Sequence, residues 1–289
     1  IYNMIIWLAS YPRSGNTWVR FFITSLLLGN KNNINFNDLE TINQYPRKSQ
    51  FEGLINNFLN LQEVAKNWQK SQIKINSDKK ITFLKTHNML VRYKDSYFTD
   101  PSNTLGAIYI VRDPRNIITS LKNHFSFKDY EETKNFLFKK NQIITLSENE
   151  KKEYVGQKDF QLPQIIGSWQ THLQSWKTMK NNFLLIKYEN LLKNPMEEVS
   201  KISEFLEKIF KIKFSEEQIN NSINSCSFEK LKKLEETTGF AEAAENRSGG
   251  KKKFFYLGPK NNWENILDKE IAEEICSKFE PEMKELKYL

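Results

Sequence analysis

The run Met4-Ile5-Ile6-Trp7-Leu8-Ala9 passes through Ser10-Tyr11-Pro12-Arg13-Ser14-Gly15-Asn16 into an amphipathic stretch, residues 17–28. The first part is continuously apolar, as a strand covered on both faces must be. The last part has an apolar stripe at helical spacing. A strand, a short polar loop and a helix start commit the chain to an α/β layout. In that layout the loop lies at the carboxyl end of a strand, where open sheets bind their ligands. The first N–H groups of the helix have no partner within it, and the helix dipole adds partial positive charge there. Such a loop attracts an anion. Arg13 adds a full charge and a planar donor fork suited to phosphate or sulfate. Trp18, one turn into the helix, offers an aromatic face to a base.

The spacing is not that of the common nucleotide loop, G-x-x-x-x-G-K-[ST]. One glycine follows Arg13-Ser14, so ATP is not the ligand these residues indicate. Further along, residues 81–85, 105–111 and 183–188 read as strands. Residues 51–69, 114–123, 162–179, 194–209, 216–222, 227–234 and 269–286 read as helices. Residues 29–37 and 237–262 show no periodicity and read as loops. Strands alternating with helices predict a parallel β-sheet flanked by helices. The chain has no internal repeat and no clear linker, so one domain over 1–289 is expected.

Composition narrows the partners. Of 289 residues, 39% are hydrophobic and 27% charged, which is ordinary for a soluble globular protein. The longest apolar runs, 4–9 and 21–28, are too short to span a bilayer, and no leader pattern opens the chain. Cys226 and Cys276 lack metal or redox spacing, which predicts reduced packing residues in a cytoplasmic protein. With only three histidines and no His/Cys cluster, a structural zinc site is not expected. The net charge of +8 suits nucleic acid, a membrane surface or a small polyanion. The lysines are spread along the chain, with one dense run at Lys251-Lys252-Lys253. A small, highly anionic cofactor accounts for a focused excess without nucleic acid.

Three further segments carry chemistry. Arg112-Asp113-Pro114-Arg115-Asn116, with Ser120 about two turns into the next helix, puts a cation and a hydroxyl within reach of one phosphate. A structural arginine paired with Asp113 is the competing reading of that turn. Lys85-Thr86-His87 follows the strand 81–85, and a histidine just past a strand end can serve as a general base at neutral pH. His124 and His172 read as structural. Asn246-Arg247-Ser248-Gly249-Gly250 lies in a polar loop before Gly258 and Trp263.

Taken in order, these segments resemble the PAPS-dependent sulfotransferases of the cytosolic type (PAPS is 3′-phosphoadenosine 5′-phosphosulfate). The family loop is usually Tyr-Pro-Lys-Ser-Gly-Thr-Thr-Trp, and Tyr11–Trp18 is similar to it. Gly167-Ser168-Trp169 through Trp176, the Tyr188-Glu189-Asn190-Leu191 segment and Cys226-Ser227-Phe228 resemble further family motifs. The resemblance runs from Met4 to about Trp263. It implies a P-loop-like sulfotransferase fold and sulfuryl transfer from PAPS to a hydroxyl or amine of a small molecule, with PAP (3′-phosphoadenosine 5′-phosphate) as product. His87 would take the acceptor proton. Arg13 and Lys85 would hold the sulfuryl and bridging oxygens. Ser14, Gly15, Asn16 and Thr17 would bind the 5′-phosphate, and Arg112, Ser120, Arg247, Ser248 and Gly249 the 3′-phosphate. Trp18, Tyr188 and Phe228 would enclose the adenine. No metal, nucleic acid or membrane span is implied.

The chain departs from the family at three positions. Arg13 and Ser248 each replace a lysine, and Asn16 replaces a threonine. The usual dimer signature is not evident, which leaves the oligomeric state open. The aromatic segment 124–140, with Phe125, Phe127, Tyr130, Phe136 and Phe138, reads equally as core and as the lining of an acceptor pocket or a lid. Two other classes stay open on the sequence: a P-loop kinase-like phosphotransferase and a non-catalytic nucleotide- or nucleic-acid-binding protein.

Overall fold

A continuous apolar strand needs cover on both faces, and the strand that opens the chain has it. In the computed structural model β1 (Ile5–Ser10) is buried at every position. The structure describes residues 4–29, 34–78, 80–146, 159–243 and 251–289. The other strands of the main sheet are β2 (Asn43–Gln44), β3 (Thr82–Thr86), β4 (Thr104–Val111) and β5 (Phe183–Lys187). Their spatial order is β2-β3-β1-β4-β5. β1 pairs in parallel with β3 from Ile5 opposite Thr82 to Ala9 opposite Thr86. β3 pairs in parallel with β2, placing Lys85 opposite Gln44. The strand order reverses beside β1, so the loops after β1 and β4 leave the sheet at its topological switch point.

Two compact units divide the chain. The first comprises Ile1–Tyr11, Ile42–Tyr109 and Lys139–Leu185. The second comprises Pro12–Thr41, Ile110–Phe138 and Ile186–Leu289. In the first, aromatic rings fill the core. Trp7 meets Tyr45 and Phe98 at centroid separations of 5.2 and 5.0 Å, and Phe98 meets Trp176 at 6.1 Å. Edge and tilted geometries of this kind add to what burial alone gives.

The second unit holds α1 (Asn16–Leu28), α2 (Pro114–Phe125) and α3 (Phe228–Thr238). α2 begins where the sequence dictates. Pro114 needs no N–H acceptor at the first helical position, and the Asp113 carboxylate caps the Arg115 amide at 2.9 Å.

Three expected helices are cut differently. Residues 51–69 form no single helix; Lys48–Phe51, Leu61–Lys66 and Trp68–Asn76 are separate. Gly53 turns the chain at φ 79°, and Asn60 starts a new helix by accepting from the Gln62 and Glu63 amides. Burial of Phe51, Ile55, Val64 and Trp68 keeps a helical rhythm without a continuous helix. The helix expected over 162–179 starts only at Trp169, behind a Ser168 capping box, because Gln164–Ile165 pairs as a strand with Ile143–Ile144. The helix expected over 269–286 divides into Lys269–Lys278 and Glu280–Glu285, with Pro281 at the start of the second.

Candidate functional site

The first unit carries Lys85 and His87. Lys85 is a buried residue of β3. His87 lies just beyond the strand end, and hydrogen bonds hold its amide, its ring and its carbonyl. Its amide donates to Gln164 Oε1 at 2.9 Å. Its Nδ1 lies 2.8 Å from the Ser10 carbonyl. A carbonyl only accepts, so Nδ1 carries the ring proton and Nε2 is the basic nitrogen. The His87 carbonyl accepts from His172 Nε2 at 3.0 Å, and His172 Nδ1 accepts from the Tyr109 hydroxyl at 2.9 Å. Burial pushes the His172 imidazole down to about 3, so it stays neutral and keeps this tautomer. Asn88 completes the turn: its carbonyl accepts from the Trp176 indole at 2.9 Å and its side-chain oxygen from the Ile165 amide at 2.7 Å.

The second unit carries the guanidinium groups and the rings. α1 opens on Gly15 at φ 97°, with no side chain capping it. The Ser14 hydroxyl is buried beside this helix start without a hydrogen-bond partner among the described residues. A buried hydroxyl of this kind carries a desolvation cost that an arriving oxyanion removes. Asn16 and Thr17 are buried in the first turn. Gly15 also makes room for a ring, since a Cβ there would lie 2.5 Å from Tyr188 Cδ2. Trp18 meets Tyr188 edge-on at 5.7 Å, and its indole donates to the Cys226 carbonyl at 2.7 Å. That bond ties Trp18 to the segment that leads into Phe228, whose ring lies 5.8 Å from Phe255.

Arg112 stacks on the face of Tyr188, 4.1 Å from the ring centroid, and donates to the Arg13 carbonyl at 3.2 Å. The Arg13 guanidinium donates from Nε to the Ser120 hydroxyl at 2.9 Å and lies 4.6 Å from the Phe254 ring centroid. Burial, and then the charge of Arg112, push Arg13 down to about 10, so it is still protonated at neutral pH. Two guanidinium groups, two hydroxyls, an uncapped helix start and three aromatic rings are the kinds of group that a phosphorylated aromatic ligand calls for. The residues present therefore fit a phosphoadenosine donor. The competing reading of the Arg112 turn is met by its neighbour: Arg115 takes Asp113 with contacts of 3.0 and 2.7 Å.

Arg247, Ser248 and Gly249 lie outside the described residues. Gln164, His172 and Glu189 were not singled out by sequence reasoning as parts of the site. Gln164 and His172 hold His87, and Glu189 Oε1 accepts the Asp113 amide at 2.9 Å. The signal for Gln164 is one amide in the apolar run 162–166. Among the aromatics of 124–140, Phe125, Phe127 and Phe136 pack on one another at 5.2–5.6 Å. Phe127 and Tyr130 also line a cavity of about 610 Å³ in the second unit, with Lys122 and Lys252. No helix among the described residues is long and apolar enough to cross a membrane.

Comparison with known proteins points the same way. The sulfotransferase domain model matches residues 4–287. The flavonol 3-sulfotransferase of Flaveria bidentis is 26% identical over 277 residues, 93% of this chain and 78% of that enzyme. The amine sulfotransferase of Oryctolagus cuniculus is 26% identical over 190 residues, 64% of this chain and 56% of that enzyme. Among solved structures, mouse sulfotransferase SULT7A1 complexed with PAP superposes with a TM-score of 0.58 at 17% identity, covering 98% of this chain and 86% of that one. A match over nearly every residue, on a parallel sheet of this order, leaves one conclusion: the chain belongs to the sulfotransferase family of PAPS-dependent enzymes.

Proposed function

We propose that this enzyme moves the sulfuryl group of PAPS in line onto a hydroxyl, or an amine, of a small-molecule acceptor, with His87 as the base. The observation that carries the proposal is the 2.8 Å contact between His87 Nδ1 and the Ser10 carbonyl, which leaves Nε2 basic. Bound PAPS supplies an activated sulfuryl group whose leaving group is PAP.

The residues divide the remaining work. His87 Nε2 takes the acceptor proton as the nucleophile attacks. Lys85 brings positive charge to the bridging oxygen, where negative charge grows in the transition state. Arg13 adds charge to the bound donor; as a guanidinium it stabilises an anion without giving up a proton. The Ser14 hydroxyl and the backbone of Gly15, Asn16 and Thr17 hold the 5′-phosphate. Arg112 and Ser120 hold the 3′-phosphate, and Arg247, Ser248 and Gly249 join them on the family resemblance. Trp18, Tyr188 and Phe228 enclose the adenine. The flavonol and amine relatives support an acceptor that is a small hydroxyl compound or amine. The free thiols Cys226 and Cys276 support a reducing, cytoplasmic setting.

The test separates chemistry from binding. His87→Ala is expected to keep PAP affinity, measured by calorimetry, and to lose turnover by about a hundredfold to ten-thousandfold, the usual worth of a positioned base. Full turnover in that variant removes His87 from this role. A wild-type chain that does not bind PAP overturns the assignment of the donor.

A further inference from the structure

We infer that Gln164 is a positioning residue for the reaction: its side-chain oxygen sets where the His87 backbone stands, and its side-chain nitrogen goes without an acceptor so that the oxygen can serve. The inference rests on His87 as the base and adds a residue that acts through it. The oxygen is used twice. Oε1 accepts from the His87 amide at 2.9 Å and from the Thr86 hydroxyl at 3.4 Å. The Thr86 hydroxyl in turn accepts from the Asn88 amide at 3.1 Å. One buried oxygen thus gathers three successive residues of the turn after β3.

Asn88 repeats the arrangement from the turn toward the same segment. Its Oδ1 accepts from the Ile165 amide at 2.7 Å, and the Ile165 carbonyl accepts from the Met89 amide at 2.8 Å. The segment that receives these contacts is itself tied down. Gln164–Ile165 pairs antiparallel with Ile143–Ile144, and the Ile166 and Gly167 amides both donate to the Gln142 carbonyl. The ring follows from the backbone. His87 Nδ1 reaches the Ser10 carbonyl at 2.8 Å, so a shift of the His87 backbone strains the contact that keeps the proton on Nδ1 and leaves Nε2 basic.

The energetics show which atom matters. Gln164 and Asn88 are both 0% exposed. A backbone N–H is met only by an amide's oxygen, so each side chain has one allowed orientation, with its oxygen on the N–H and its nitrogen turned away. Both nitrogens, Gln164 Nε2 and Asn88 Nδ2, are buried without a hydrogen-bond partner among the described residues. A buried donor with no acceptor destabilises a fold. Methionine at 164 or leucine at 88 fills similar space without that cost. Two such amides at one histidine, with both oxygens engaged and both nitrogens idle, mark a place where local stability yields to the geometry of a site.

The experiment is imidazole nitrogen NMR of the full chain labelled at histidine, at mildly alkaline pH. Only three rings report, and His87→Ala assigns the one that matters. Wild type is expected to show His87 with its proton on Nδ1 alone. Gln164→Met is expected to show a mixture of the two tautomers, with PAP affinity unchanged by calorimetry and the melting temperature within a few degrees of wild type. Turnover of 2-naphthol with PAPS is expected to fall about tenfold to a hundredfold in parallel, the usual result of a small misplacement. Asn88→Leu is expected to act in the same direction, and it carries the test if the methionine variant does not fold. A pure Nδ1–H ring in the variants, or a mixed ring with wild-type turnover, overturns the inference. So does a loss of PAP affinity as large as the loss of turnover. A wild-type His87 with its proton on Nε2 fails at an earlier point: it overturns His87 as the base, whatever the variants do.

Discussion

His172 does its work through another residue. It is fully buried, accepts from Tyr109 and donates to the His87 carbonyl. Replacing it with phenylalanine keeps a ring in the core but takes one hydrogen bond from a buried hydroxyl and one from a carbonyl. His172→Phe is expected to cost about 1–3 kcal/mol of stability. Turnover should fall because the His87 backbone loses its anchor, while PAP affinity holds. A pH series tells this role from plain packing. The folded imidazole titrates at about 3 against 6.5 for the ordinary group. The unfolded chain therefore takes up a proton that the folded chain refuses. Stability is full above about 6.5 and is lost as pH falls toward 3. Wild type loses part of this increment by pH 5 and the variant does not, so the gap between them narrows on the order of 2 kcal/mol from pH 7 to pH 5 in denaturant titrations. A constant gap removes His172 from the acid limb. The place of His87 just past a strand end was readable from the apolar run before it. The partnership of His87 with His172 was not, because 85 residues separate them and no local pattern encodes the pairing.

Elements come out of the sequence best where a local rule dictates them. β1 and α1 follow from a continuous apolar run and a periodic one, and α2 from Asp113 and Pro114 at its start. The stretch 51–69 misleads because residues of three short helices all face one core and keep the spacing of one. The junction between β1 and α1 joins the fold to the site, and Gly15 is its sharpest point. Alanine there meets two obstacles: a φ of 97° and a Tyr188 ring carbon 2.5 Å from the new Cβ. Gly15→Ala is expected to lower the melting temperature by a few degrees, on a cost of roughly 1–3 kcal/mol from left-handed strain and the displaced ring. It should also weaken PAP, because the ring that moves is the one beneath Arg112. Thermal unfolding with and without PAP checks both parts. A melting point that falls while the shift on adding PAP stays at the wild-type value separates Gly15 from the nucleotide site.

Across the molecule, the sequence gives the charges and their order but not their pairing. The excess of eight positive charges suits an anionic partner, yet nothing local says that Arg115 rather than Arg112 takes Asp113. Residue 288 sets the frame for that choice. The Tyr288 carbonyl accepts from Arg115 Nη2 at 2.7 Å, and its hydroxyl donates to Glu189 Oε2 at 2.8 Å. The other oxygen of Glu189 holds the Asp113 amide. The Lys187 ammonium lies 4.5 Å from the Tyr288 ring centroid. The turn that presents Arg112 is thus held at Asp113 and Arg115 by contacts reached only through the fold. Removing the hydroxyl breaks one link of this chain and leaves the ring in place. Tyr288→Phe is expected to weaken PAP by about fivefold to tenfold, as for one ordinary hydrogen bond, and to raise KM for PAPS without changing kcat. Lower stability with unchanged PAP affinity would confine Tyr288 to packing. A fall in kcat at saturating PAPS would mean that the Arg112 turn also bears on the transition state, because only an interaction stronger there than in the ground state changes that rate.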